Sequence, residues 1–256
     1  MKIIILAGGR GTRIAEESSV RPKPMIEIGG KPILWHIMKI YGHYGFNEFI
    51  ICLGYKGIVI KEYFSHYFLH MSDVTFNMQT NEMTVHKQDA EPWKVSLINT
   101  GDDTQTGGRL KRALAHIDPK DDKVAMTYGD GVADIDIRAL VAFHEKHGKL
   151  ATVTAVRPPQ RFGALAMEGD CVVAFKEKPE HEGDQINGGF FIVSPKVRNL
   201  IDSDDTIWER GPMEALAKQD QLRAYRHSGF WHAMDTIRDR QFLEELWETN
   251  PPWKQW

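Results

Sequence analysis

The stretch Lys2-Ile3-Ile4-Ile5-Leu6-Ala7-Gly8-Gly9-Arg10-Gly11-Thr12-Arg13 sets the reading of the chain. A short β-rich run passes directly into a loop that holds three glycines. Without Cβ atoms, such a loop can approach a ligand closely and present its backbone N–H groups. A row of N–H groups suits phosphate oxygens, and Arg13 adds charge in a planar donor fork. The loop is not a Walker A sequence, because no Gly-Lys-Ser/Thr follows. It also departs from the dinucleotide fingerprint: Gly9-x-Gly11 is present, but Ile14 stands where a third Gly or Ala belongs. On the glycines alone, a tight turn without a ligand remains the alternative.

Outward from this loop, β-rich runs alternate with helix-like segments. Strands are expected at 2–6, 49–53, 123–128 and 150–156, and helices at 33–41, 58–68, 110–117 and 136–147. Pro32 is well placed near the first turn of the 33–41 helix. This alternation predicts an α/β, Rossmann-like fold with a mostly parallel mixed sheet flanked by helices. Ligands of such sheets sit at the carboxyl ends of the strands. The 73–99 segment reads as hairpin-like, turning near Asn81-Glu82. Short β candidates at 163–167, 172–177 and 186–193 predict a small antiparallel β addition. A helix over 236–247 stops before Pro251-Pro252. With no repeat or low-complexity linker, 1–256 reads as one unit.

Composition narrows the class. The 256 residues suit one large domain, or one domain with a small annex. A formal net charge of -3 gives no pull toward nucleic acid or anionic membrane. The two cysteines, Cys52 and Cys171, argue against a disulfide framework or a cysteine metal site. The first apolar run is too short for a signal peptide, and no stretch approaches the ~20 apolar residues of a membrane span. A cytoplasmic protein is expected.

Further on, Arg21-Pro22-Lys23-Pro24-Met25 holds a lysine between two prolines. The stiff backbone fixes one ammonium group, as is useful against a phosphate. Alone, Lys23 reads as a surface lysine; beside the glycine loop it reads as part of a site.

Leu-Ala-Gly-Gly-x-Gly-Thr-Arg followed by Pro-Lys-Pro-Met resembles the signature of the sugar-1-phosphate nucleotidyltransferases, and the resemblance runs along almost the whole chain. It implies that the loop Leu6, Ala7, Gly8, Gly9, Arg10, Gly11, Thr12 and Arg13 holds a nucleoside triphosphate and that Lys23 contacts its α-phosphate. The nucleotide-binding half is then about 1–135, and the sugar-phosphate-binding half about 136–256.

Tyr128-Gly129-Asp130-Gly131 follows a predicted strand. Mg²⁺ prefers one or two carboxylates plus phosphate oxygens. An Asp-Gly turn is the plain reading of Asp130; the resemblance implies instead that Asp130 binds Mg²⁺. It implies the same for Asp235 in Phe230-Trp231-His232-Ala233-Met234-Asp235, although Asp235 also precedes a predicted helix. On the sugar side, the resemblance assigns Glu177 of Glu177-Lys178-Pro179 to sugar hydroxyls and Lys178 to the sugar phosphate. It assigns Asn187 and Gly163 to sugar contacts, while Trp231 reads as pocket wall.

The 99–112 segment, with Thr106-Gly107-Gly108 ahead of a helix, resembles the glucose-1-phosphate cytidylyltransferase branch. Those glycines are expected to leave N–H groups open to a ligand. Thr104, Arg109 and Gly129 are candidate nucleotide contacts, since arginine can donate to the cytosine acceptors. The resemblance implies CTP and glucose 1-phosphate as substrates, Mg²⁺ as cofactor, a homo-oligomer (trimer or hexamer), and a product destined for O-antigen and other cell-surface polysaccharides. Arg13, Lys23, Asp130, Lys178 and Asp235 would carry an in-line displacement at phosphorus. The rivals are uridylyl or thymidylyl transfer, a glycosyltransferase using Asp134-Ile135-Asp136 as its metal motif, and a non-catalytic sugar-nucleotide sensor.

Overall fold

The computed structural model describes residues 1–158, 164–168, 171–176 and 185–256, without the side chains of Arg13, Ala15, 164–168 and 172–176. Its main sheet is built from β1 (Ile3–Leu6), β2 (Glu48–Leu53), β3 (Lys94–Asn99), β4 (Val124–Tyr128), β5 (Ala151–Val156), β6 (Ile186–Val193) and β7 (Leu222–Arg226). The spatial order is β7-β5-β6-β4-β1-β2-β3. Strand β6 is antiparallel to both neighbours, and the remaining pairs are parallel. The expected mixed, mostly parallel α/β sheet is therefore present.

Strand residues alternate between two buried faces. Ile3, Ile5, Phe49 and Ile51 enter one core, and Ile4, Leu6, Ile50 and Cys52 enter the other. Continuous apolar runs such as Ile3-Ile4-Ile5 arise because both faces are covered. Burying each isoleucine contributes about 1.5–3 kcal/mol. The first face is covered by α1 (Ile33–His43), α2 (Gly57–His70), α4 (Ile137–His147) and α6 (Ile237–Thr249). The second packs against α3 (Thr106–Leu114) and α5 (Gly211–Lys218). Local chemistry sets the helix ends. Asp136 caps α4 by accepting from the Ala139 N–H at 2.9 Å, and Gly148 ends it at φ 62°.

Three sequence expectations change. Helix α3 begins at Thr106, ahead of the expected 110. The hairpin pairs Ser72–Asn77 with Glu82–Gln88, whereas 94–99 leaves it to become edge strand β3, with Val95 and Leu97 packed on the first core. Strand β6 lies inside the main sheet, because Gly188 to Val193 need cover on both faces. The small antiparallel addition is Ala164–Glu168 paired with Cys171–Lys176. Strand β7 and helix α5 were not foreseen in the sequence. Among the described residues, no helix is long and apolar enough to cross a membrane.

The topology locates the site. From β1 the chain moves to β2 and β3 on one side, then returns to β4 on the other side of β1. Adjacent strands whose connections diverge leave a crevice outside their carboxyl ends. The glycine loop follows β1, and Gly129-Asp130 follows β4, so both motifs open into that crevice.

Candidate active site

Two clefts meet at this switch point. The first, about 440 Å³, is lined by residues 6–12, Lys23, Pro24, residues 102–106, Arg109, Tyr128, Gly129, Asp130 and Asp235. The second, about 310 Å³, is lined by Tyr128, Asp130, Gly131, residues 186–190, Trp231 and Asp235 among others. Tyr128, Asp130 and Asp235 belong to both, so they mark the seam.

Lys23 occupies that seam. Its Nζ donates to Asp130 Oδ2 and to Asp235 Oδ1, each at 2.6 Å. Burial pulls the ammonium's pKa down, but the charges and hydrogen bonds of Asp130 and Asp235 outweigh it and hold the group above the ordinary lysine value. The backbone that delivers this side chain is rigid: Pro22 precedes a 3₁₀ turn over Lys23–Met25, and Pro24 is buried. A Cβ on Gly129 would come within 3.0 Å of Leu6 O and Pro24 Cγ. Only glycine lets the β1 end, the proline-bracketed lysine and Asp130 converge so closely.

Asp235 reaches Asp130 through a short ladder. Trp231–Ala233 pairs antiparallel with Gly131–Ala133, and the Met234 N–H donates to Asp130 O at 2.8 Å. The turn carrying Asp235 is fixed by Asp239. Its carboxylate accepts from the N–H of Asp235 (3.1 Å), the N–H of Thr236 (2.8 Å) and the Thr236 hydroxyl (2.8 Å), and pairs with His232 Nε2 at 3.1 Å. Burial raises this carboxyl's pKa, yet the Thr236 and His232 contacts hold it below the usual aspartate value. Asp235 thus stands ahead of a capping box rather than serving as the cap, which is Thr236.

In the glycine loop, the described residues offer no protein acceptor to the N–H groups of Gly9, Arg10 or Gly11. Gly8 is different. A Cβ there would overlap the Arg109 guanidinium, and one on Gly54 would lie 2.5 Å from Arg109 Nη1. Arg109, buried with 4% exposure, donates to Gly8 O (3.0 Å), Leu53 O (3.2 Å), Thr100 Oγ1 (2.8 Å), Gly101 O (2.7 Å) and Asp102 O (3.2 Å). The arginine lines the first cleft while clamping three chain segments around it. Thr104 is buried beside Gly101, whose φ of 87° requires glycine.

The second glycine stretch corrects an expectation. The N–H groups of Gly107 and Gly108 are not open to a ligand: both donate to Thr206 O, at 2.9 and 3.3 Å. Loop 203–206 closes over the start of α3, and a Cβ on Gly107 would lie 2.6 Å from Thr206 O.

A polar chain that the sequence did not reveal links the two clefts. Glu209 accepts from the Thr106 hydroxyl at 2.7 Å and from the Tyr128 phenol. The Tyr128 oxygen in turn accepts from Asn187 Nδ2 at 3.0 Å, and Asn187 Oδ1 accepts from the Gly189 N–H at 2.8 Å. Gly189 has φ 79°, and a Cβ there would meet the Tyr128 ring at 2.7 Å. Asn187 and Trp231 both line the second cleft, with Trp231 Nε1 donating to Gly188 O at 2.7 Å. Tyr128 could have been suspected from its place before Gly129-Asp130; Glu209 carries no local signal. Gly163, Glu177, Lys178 and the Arg13 side chain lie outside the described residues.

The Asp-x-Asp alternative does not converge. Asp136 caps α4, and Asp134 Oδ1 faces His227 Nε2 at 2.9 Å.

Residues 2–232 match the family model described as Nucleotidyl transferase. The chain is 58% identical over 258 aligned positions to the glucose-1-phosphate cytidylyltransferase of Salmonella typhi, covering both proteins completely. It is 44% identical, again over both complete proteins, to a probable glucose-1-phosphate cytidylyltransferase of Bacillus subtilis. HddC from Yersinia pseudotuberculosis shares its fold, with a TM-score of 0.69 at 24% identity over 96% of this chain and 99% of that one. A glycine loop after β1, aspartates brought together at the switch point, and a match spanning nearly the whole chain agree: this protein belongs to the nucleotidyl transferase family, alongside the glucose-1-phosphate cytidylyltransferases.

Proposed function

We propose that this protein transfers a cytidylyl group from CTP to α-D-glucose 1-phosphate, giving CDP-glucose and pyrophosphate. The observation that carries the reading is the meeting of Lys23, Asp130 and Asp235, from three distant chain segments, where the two clefts join. Full-length likeness to cytidylyltransferases supports the choice of base and sugar. In this reading the first cleft takes CTP, with phosphates against the N–H groups of residues 9–11, and Thr104, Arg109 and Gly129 on the nucleotide side. The second takes the sugar phosphate, with Asn187 and Trp231 as wall and Gly163, Glu177 and Lys178 assigned by motif.

The donor set suits Mg²⁺. One carboxylate oxygen from each of Asp130 and Asp235 faces a single point, now marked by the Lys23 ammonium. When bound there, Mg²⁺ supplies charge neutralisation for the triphosphate. The chain's own groups do the rest. Lys23 and Lys178 bring two anions together, Arg13 and the glycine loop hold the leaving pyrophosphate, and the sugar-phosphate oxygen attacks the α-phosphorus in line. No covalent enzyme intermediate is required. We place the enzyme in the cytoplasm as a homo-oligomer, a trimer or hexamer. The 72–88 hairpin supports self-association: Phe76, Met78, Met83 and Val85 are 53%, 89%, 44% and 39% exposed, and an isolated two-stranded hairpin is marginal in water.

The test is pyrophosphate release with each nucleoside triphosphate and several sugar 1-phosphates, with and without Mg²⁺. CTP with glucose 1-phosphate should lead, and preference for UTP or dTTP would overturn the assigned base. Asp130→Ala should lower turnover by at least ~10²-fold, the scale of one lost electrostatic stabiliser. Near-normal turnover would remove Asp130 from the mechanism.

A further inference from the structure

We infer that Lys23 is, among the described residues, a resident counter-ion of the Asp130–Asp235 pair, and that this ammonium and a divalent cation occupy the two carboxylates in turn. The inference rests on reading those aspartates as metal ligands. Nζ lies 2.6 Å from one oxygen of each carboxylate. Mg²⁺ meets carboxylate oxygens at about 2.0–2.1 Å. An ion touching both oxygens would therefore crowd the place the ammonium now holds. Two cations so close repel each other, and the repulsion is the stronger because the Lys23 side chain is only 12% exposed. One of them has to leave.

The surrounding structure makes Lys23 the mobile partner. Its backbone is pinned between Pro22 and Pro24, and a Cβ on Gly11 would lie 3.1 Å from Lys23 Cβ, so the stem is packed against the glycine loop. Only the end of the side chain is left to swing, and it swings within the cleft that the glycine loop lines. A triphosphate in that cleft offers the ammonium a second anionic partner. Nucleotide phosphate would draw Lys23 away from the carboxylates and open them to the divalent ion. The ion, by taking the carboxylates, would free Lys23 for the phosphate. Each ligand thus strengthens the binding of the other, and the coupling is reciprocal. A lysine that served only to bind substrate would leave metal affinity in the nucleotide-free protein unchanged when removed.

The experiment is a Mn²⁺ titration of the nucleotide-free full chain, followed by electron paramagnetic resonance. Lys23→Met should bind Mn²⁺ roughly 10-fold or more tightly than wild type, the scale of removing one cation from a partly buried site. Equal or weaker affinity overturns the exchange. Asp130→Asn, titrated in parallel, should lose Mn²⁺ binding. Wild-type affinity in that variant would instead overturn the metal reading beneath it. A second measurement does not depend on Lys23→Met folding. Acetylation of Lys23 in the wild-type protein, followed by mass spectrometry, should speed up several-fold when Mg²⁺ alone is added. An unchanged rate overturns the exchange.

Discussion

Two glycine stretches in this chain look alike in sequence and do opposite work in the fold. Residues 8–11 follow β1, and Gly107-Gly108 open α3. Both place glycine beside a strand or helix end, where open N–H groups are expected. In the first, the N–H groups of Gly9, Arg10 and Gly11 meet no protein acceptor among the described residues. In the second, Thr206 O takes both glycine N–H groups, and loop 203–206 packs where a Cβ would be. Glycine therefore signals close approach without saying what approaches. In the proposed function the first turn is kept bare for a ligand; the second is kept bare for the protein's own backbone.

Of the two turns, the first carries the larger expected effect, and it has opposite signs in two measurements. A Cβ on Gly9 meets nothing within 4 Å, and its φ is not in the left-handed region. Gly9→Ala should therefore leave stability unchanged or raise it by about 0.4–1 kcal/mol, through the less flexible unfolded chain. The same methyl would stand where triphosphate oxygens approach. Losing hydrogen bonds to a charged group costs about 1.5–3 kcal/mol, so kcat/KM for CTP should fall roughly 10- to 100-fold. Steady-state kinetics beside a thermal melt reads both. Unchanged kinetics would mean that the loop does not cradle phosphate.

At the second turn the loss moves into stability. Gly107 lies in the first turn of a helix, where alanine is favoured by at most about 1 kcal/mol. Against this, its Cβ would sit 2.6 Å from the Thr206 carbonyl oxygen and 3.2 Å from the carbonyl carbon. Backbone cannot yield as a flexible side chain does, so the clash should win. We expect Gly107→Ala to cost about 1–3 kcal/mol and to lower Tm by several degrees, with KM for CTP changed less than in Gly9→Ala. A rise in Tm would show that loop 203–206 can move aside and that the two turns are not so different.

What could be read in advance follows the same division. The strand-and-helix alternation was legible because β1, β2 and β4 are buried on both faces, which writes continuous apolar runs into local sequence. Lys23, Asp130 and Asp235 were nameable from their motifs, and the structure brings them together at one point. Their mutual ion pairing was not legible, because it depends on a ladder between Trp231–Ala233 and Gly131–Ala133. Glu209 gave no sign, since its partners Thr106 and Tyr128 lie on α3 and at the end of β4. Nor did Thr206, whose role is a single backbone carbonyl. Arg109 was read as a candidate nucleotide contact from the 99–112 resemblance and its residue type; of its five acceptors, four of them backbone carbonyls, Gly8 O and Leu53 O come from distant chain segments that no local pattern ties to it.

The smallest effect belongs to a side-chain ion pair that, among the described residues, joins the glycine loop to the chain leading into the second turn. Arg10 Nη2 lies 2.8 Å from Asp103 Oδ1 across the mouth of the first cleft, with side chains 63% and 88% exposed. Exposed pairs of this kind contribute about 0–1 kcal/mol, because water screens the charges and two long side chains lose freedom. Arg10→Ala should therefore shift Tm by no more than a degree or two, an effect that added salt should largely abolish in the wild type as well. Its effect on KM for CTP should stay within roughly 3-fold, since less than 1 kcal/mol is at stake. Comparing Arg10→Ala, Asp103→Ala and the double variant at low and high salt isolates the pair. A coupling above about 1 kcal/mol would mean that the mouth of the cleft is held shut by this contact. The bare first turn would then depend on the second for its shape, and the contrast between them would narrow to the identity of the group each admits.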